Sequence, residues 1–109
     1  MHSITPAELW HKRQSTPITL IDVRNPGEYA TIHAEGAENI PLDRIDAATI
    51  SHLDAHKAVY VICKSGARSQ IAIHRLYQLG FRQLVNVAGG TDGWAAAGLP
   101  VARPHAVVR

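Results

Sequence analysis

Val59-Tyr60-Val61-Ile62-Cys63-Lys64-Ser65-Gly66-Ala67-Arg68-Ser69 is an apolar run that ends at the only cysteine of the chain and passes into a short polar loop. The part from Ala58 to Ile62 is short, rich in β-branched residues and without alternation, which predicts a parallel strand covered on both faces. From Ser69 onward the period changes. Ala72, Leu76 and Leu79 recur at helical spacing, Ile71, Ile73 and Tyr77 widen the stripe, and Gly80 stands where a left-handed C-cap is needed. Strand, tight loop and helix follow one another. Open α/β sheets bind their ligands at the carboxyl ends of the strands, so Cys63 falls on that rim, with the amino end of the next helix directed at it. The unpaired N–H groups and partial positive charge of that helix end make a cradle for an anion.

A thiol in such a cradle ionises more readily than a free one. The helix end, Lys64 and Arg68 all favour the thiolate, and pKa values of roughly 3.5 to 7.5 accompany such settings. The opposing reading is a buried, inert cysteine, because free cysteine is among the most buried residue types. A glycine-containing loop flanked by two cations argues against it.

On either side of this unit the chain alternates. Thr5-Pro6-Ala7-Glu8 reads as an N-cap, a proline at the first helical position and a capping glutamate, opening a helix through about Lys12. Ile18 to Val23 predicts a strand, and Asn25-Pro26-Gly27 turns the chain into a brief helix over Glu28 to Thr31. A short strand over Ala37 to Pro41, a helix over Leu42 to Leu53, a strand over Leu84 to Val87 and a helix over Thr91 to Ala97 complete the pattern. The expectation is an α/β fold: a mostly parallel central sheet of about five strands with helices on both faces. One domain over residues 1–109 is predicted. Val101 to Arg109 contains Pro104 and no periodicity, so this tail is expected to be poorly ordered.

With 109 residues and 46% hydrophobic content, such a domain buries about two thirds of its unfolded surface and needs neither metal nor disulfide. One cysteine excludes an internal disulfide. Met1 to Arg13 has no apolar core of a signal peptide, and no membrane span is found, so a reducing cytoplasm is the expected compartment. A net charge of +2 without runs of Lys or Arg gives no reason to expect nucleic acid, and a local preference for small anions is the more modest inference. His52 and His56 lie four apart, but no third ligand follows, and solvated histidines are expected. Gly89, Gly90 and Gly93 miss the nucleotide-loop order; they predict a tight turn that lets the last helix pack, with Trp94 as its anchor. Asp22 and Arg24 fall near the same rim as Cys63. Either Asp22 holds Arg68 or the loop, or it is half of an ordinary strand-end ion pair.

Cys63-Lys64-Ser65-Gly66-Ala67-Arg68-Ser69 resembles the C-x-x-G-x-R-S active loop of the single-domain rhodaneses, which are sulfurtransferases. Ile21-Asp22-Val23-Arg24 with Glu28-Tyr29, Gly36-Ala37-Glu38-Asn39-Ile40-Pro41, and Val87-Ala88-Gly89-Gly90 with Gly93-Trp94 resemble three further segments of that family, in the same order. The resemblance implies a double displacement. Cys63 would take the outer sulfur of thiosulfate or another donor, hold it as a persulfide against N–H groups of Lys64, Ser65, Gly66, Ala67, Arg68 and Ser69, and pass it to cyanide or a thiol. Lys64 and Arg68 would attract the anionic donor and stabilise departing sulfite. No cofactor is implied; a protein persulfide donor or thiol acceptor is a possible partner. His33 stands where the family often has histidine, but Ala34-Glu35 replaces the more usual Ile-Pro, and no catalytic role for it is expected. Cysteine-dependent phosphatases and arsenate reductases also bracket a loop with Cys and Arg. Their signature is C-x5-R, whereas four residues separate Cys63 from Arg68, which leaves the cradle small for a phosphoryl group. A non-catalytic binding module of the same fold is the third reading, although such modules commonly lack the cysteine.

Overall fold

Two capping boxes start the first two helices. The Glu8 N–H donates to Thr5 Oγ1 at 3.1 Å, the Thr5 N–H donates to the Glu8 carboxylate at 3.0 Å, and α1 runs over Pro6–Arg13. Asn25 and Glu28 repeat the device at 2.9 and 3.2 Å. Helix α2 therefore spans Pro26–Thr31, starting before Glu28, because Asn25 is its cap and not part of a preceding turn. These elements belong to a computed structural model that describes residues 2–104.

Five strands form the main sheet: β1 (His2–Ile4), β2 (Thr19–Asp22), β4 (Glu38–Asn39), β5 (Val59–Ile62) and β6 (Leu84–Val87). Their order is β1-β6-β5-β2-β4 and every pairing is parallel. The strand that leads into Cys63 is thus the central one, and all four of its residues are buried. Val59, Val61 and Cys63 pack to one side with Ala72 and Leu76 of α3 (Ala67–Gln78); Tyr60 and Ile62 pack to the other with Leu9 and with Trp94 of α4 (Gly90–Ala96). Helices cover both faces, which is why β5 shows no alternation. Gly80, at φ +105°, ends α3 as expected.

The helix expected over Leu42 to Leu53 is absent. A single 3-10 turn covers Leu42–Arg44 and a series of turns follows. Asp46 and Thr49 supply the reason. The Thr49 N–H donates to Asp46 Oδ1 at 2.8 Å, the Asp46 N–H to Thr49 Oγ1 at 3.0 Å, and the Thr49 hydroxyl to Arg44 O at 2.7 Å. These local bonds compete with a helical ladder, while Leu42, Ile45, Ile50 and Leu53 still reach the core.

A second correction concerns the end of the chain. Val101–Ala102 is a strand, β7, paired antiparallel with β3 (His33–Ala34), and the Trp94 indole N–H donates to Pro100 O at 2.7 Å just before it. Residues 105–109 of the expected tail lie outside the described residues. His33 is buried, its Nδ1 is 2.8 Å from Tyr29 O, and its ring stacks on that of Tyr29 at 3.7 Å between centroids. His52 faces the Glu38 carboxylate at 2.7 Å.

Candidate active site

The chain leaves the sheet at Cys63 and enters the loop Lys64-Ser65-Gly66. Gly66 has a φ of +127°, a region that side chains rarely adopt, and this brings its N–H to 3.0 Å from Cys63 Sγ. Cys63 is only 1% exposed, so its sulfur lies buried at the floor of the cradle. Burial by itself pushes the thiol up. The Ser69 hydroxyl and the N–H groups of Ser69, Gly66 and Ser65 outweigh it and leave the thiol below its ordinary value.

Two helix ends hold this loop from opposite sides. The start of α3 directs donors at the sulfur. The start of α4 directs them at the loop carbonyls, the Thr91 N–H to Cys63 O at 2.8 Å and the Asp92 N–H to Lys64 O at 3.1 Å. Cys63, Ser65, Gly66 and Ser69 are thereby brought together, whereas the exposed Lys64 ammonium pairs with Asp92 at 3.5 Å. Ala67 is exposed at the start of α3. Arg68 forms a fork on Glu28, at 2.6 and 2.9 Å, and not on Asp22. Asp22 is taken by Arg24. Both are buried, at 2.9 Å from each other, and Arg24 also donates to Ile32 O at 2.5 Å, so Asp22 forms a strand-end ion pair with Arg24 and does not hold Arg68.

Glu28 therefore has two tasks: it caps α2 and it fixes Arg68. The Arg68 fork lowers its carboxyl most, burial opposes, and the Asn25 N–H assists, so the group falls from 4.5 to about 2. A depressed carboxylate contributes stability that is complete above pH 4.5 and is lost as pH falls toward 2. The pair is about a third exposed, so solvent screening brings the contribution to about 1 to 2 kcal/mol. Glu28→Gln should flatten the acid limb of a stability-versus-pH curve. Arg68→Lys retains the charge without the fork and should lower Tm at pH 7 by roughly 4 to 8 °C. An unchanged melting curve would reduce Arg68 to a diffuse positive charge.

Asn86 is a further site residue that no motif announces. It sits on β6 beside β5, is buried, and its Oδ1 accepts from the Ser69 hydroxyl, which is also 2.9 Å from Gly66 O. One hydroxyl proton thus faces two oxygens and the sulfur. The amide carries a donor as well as an acceptor, so when turned it donates to Ser69 Oγ and frees that proton for Cys63. A carboxylate can only accept. Asn86→Asp should raise the thiol pKa and slow alkylation of Cys63 at neutral pH by about three- to tenfold, as the thiolate fraction falls. The readout is alkylation rate against pH, and an unshifted profile would separate Asn86 from the thiol.

Among the described residues no cluster of three or more His, Cys, Asp or Glu is arranged to hold a metal, and no helix is long and apolar enough to cross a membrane. A thiol held by backbone donors at the start of a helix, on the central strand of a parallel sheet, can be compared with known proteins. A sulfurtransferase of Allochromatium vinosum is 34% identical over 88 residues, covering 81% of each chain. The thiosulfate sulfurtransferase GlpE of Actinobacillus pleuropneumoniae is 31% identical over 98 residues, covering 90% of each. The crystal structure of a rhodanese-like domain protein from Staphylococcus aureus superposes with a TM-score of 0.78 at 34% identity, over 86% of this chain and 91% of that one. Other relatives are longer: the chain spans 56% of a Synechocystis protein and 41% of a putative sulfur carrier protein, YrkF, of Bacillus subtilis. The model of the rhodanese-like domain matches residues 5–97, which takes in four of the five strands of the main sheet, the loop and both helix ends that hold it. By this match, and by relatives aligned over most of their own length, the chain belongs to the rhodanese-like domain family.

Proposed function

We propose that the protein is a sulfurtransferase in which Cys63 carries sulfane sulfur from thiosulfate or a persulfide donor to cyanide or a thiol. One observation carries the reading: the Gly66 N–H at 3.0 Å from Cys63 Sγ, in a cradle that keeps a buried thiol below its ordinary pKa. The thiolate attacks the outer sulfur of thiosulfate, the S–S bond breaks, and sulfite leaves with the electron pair. The persulfide then passes its outer sulfur to cyanide, giving thiocyanate and restoring the thiolate. No external oxidant, reductant or cofactor enters this balance, and a lone thiol of this kind suits a reducing cytoplasm. The relative named as a putative sulfur carrier supports a protein as donor or acceptor. A phosphatase needs its arginine on the phosphoryl group, and here both terminal nitrogens of Arg68 are on Glu28. Mass spectrometry of the intact protein tests the proposal. One sulfur atom should be gained with thiosulfate or an organic persulfide and lost with cyanide; no gain with either donor would overturn it.

A further inference from the structure

Two lysines converge at the end of the sheet opposite to the active loop. A cavity of about 310 Å³ opens there, and Lys12 from the last turn of α1, Thr19 at the start of β2, Lys57 just before β5, and Gln83 just before β6 stand in its walls. Because the strands of the main sheet are all parallel, their amino ends lie together, and Cys63 follows the far end of β5. Lys64, beside Cys63, is paired with Asp92, whereas neither Lys12 nor Lys57 has an ionic partner among the described residues. No Asp or Glu stands in the walls. Asp54, the acidic residue nearest to Lys57 in sequence, accepts from the His56 N–H at 2.8 Å.

Tyr60 is the buried member of the walls, at 4% exposure, and the one aromatic residue of β5. Its hydroxyl makes no hydrogen bond to the described residues. Thr91 Oγ1 is the one buried side-chain oxygen or nitrogen without a partner among those residues, so the Tyr60 hydroxyl still meets solvent, and this cavity is the opening that Tyr60 lines. Ile18 and Ala58, both half-buried, supply an aliphatic side. We propose that the cavity is a second binding site, separate from the sulfur-carrying loop, for a small organic phosphate monoester. Two unpaired ammonium groups and a phenolic hydroxyl suit a compact group of nearly two negative charges with three acceptor oxygens, which a phosphate monoester supplies and a single carboxylate does not. The organic part lies on Ile18, Ala58 and the Tyr60 ring.

Amide chemical-shift titration of the full chain with phenyl phosphate tests the site, with inorganic phosphate and benzyl alcohol as the two halves of the probe. Phenyl phosphate should bind about tenfold tighter than either half, with the shifts centred on Thr19, Lys57, Ala58 and Gln83. Tyr60→Phe should raise Kd about tenfold while Tm holds, since the hydroxyl has no partner in the free protein. Lys12→Ala and Lys57→Ala together, both at exposed positions, should raise Kd by about tenfold at low salt and by less as salt is added. Sulfur transfer from thiosulfate to cyanide should stay within about twofold of the parent in all of these variants. Shifts centred on Gly66 and Arg68 would place the ligand in the active loop, and equal affinity for inorganic phosphate would remove the organic part. Unchanged affinity in Tyr60→Phe and in the double lysine variant would leave only diffuse surface charge. Each of these three results would overturn the proposal, and none of them touches the reading of Cys63.

Discussion

Replacing Cys63 with serine should abolish sulfur transfer, with turnover falling by on the order of a thousandfold or more to background, while the melting temperature stays near that of the parent. Serine fits the volume on the floor of the cradle, and the Gly66 N–H that faced Sγ finds an oxygen there instead. What is lost is the only thiol of the chain. The serine variant should also fail to gain mass from either donor. Residual turnover above background in that variant would show that sulfur moves without a Cys63 persulfide, and the mechanism would be wrong.

Gly90→Ala should be the most damaging single change outside the thiol. Gly90 begins α4 at φ +60°, and an added Cβ would meet Lys64 O and lie 2.5 Å from Cys63 O, both backbone atoms of the loop. Neither can withdraw without breaking the bonds from the Thr91 and Asp92 N–H groups. A cost of about 3 kcal/mol or more is expected, together with loss of sulfur transfer, since the loop that yields is the one that holds the sulfur. Gly80→Ala is the control. Its φ is also positive, but an added Cβ meets nothing within 4 Å, and a loss of only about 1 kcal/mol should result. Comparable denaturation midpoints for the two variants would show that the α4 contact does not hold the loop.

The central unit was legible because its signals are local: an apolar run, a glycine, a change of period and a C-cap lie in one stretch. The helix starts at Thr5 and Asn25 were legible for the same reason, although the second was placed too late. What escaped was non-local. β1 is three residues at a sheet edge, and β3 and β7 are two residues each, too short to show any period. Glu28 reaches Arg68 across 40 positions, and no spacing rule links them, whereas the carboxylate of Asp22 is closed by Arg24 two residues on. Between Leu42 and Leu53 the apolar spacing fitted a helix, but the side chains of Asp46 and Thr49 bind the backbone themselves. Asn86 and Thr91 matter through one hydrogen-bonding atom each, which no pattern of hydrophobicity records.

The order in which the chain is made gives the α4 contact a further meaning. Cys63 leaves the ribosome before Asn86, Thr91 and Asp92, and β1, made first, waits for β6 before it has a partner. During synthesis the thiol therefore emerges ahead of both the hydroxyl network and the two N–H donors that close its loop. A nascent or truncated chain that stops short of Thr91 should present Cys63 as an ordinary, accessible thiol, open to alkylation and unable to retain sulfur. Persulfide chemistry would then begin only when the fourth helix docks, which couples the onset of reactivity to the completion of the fold.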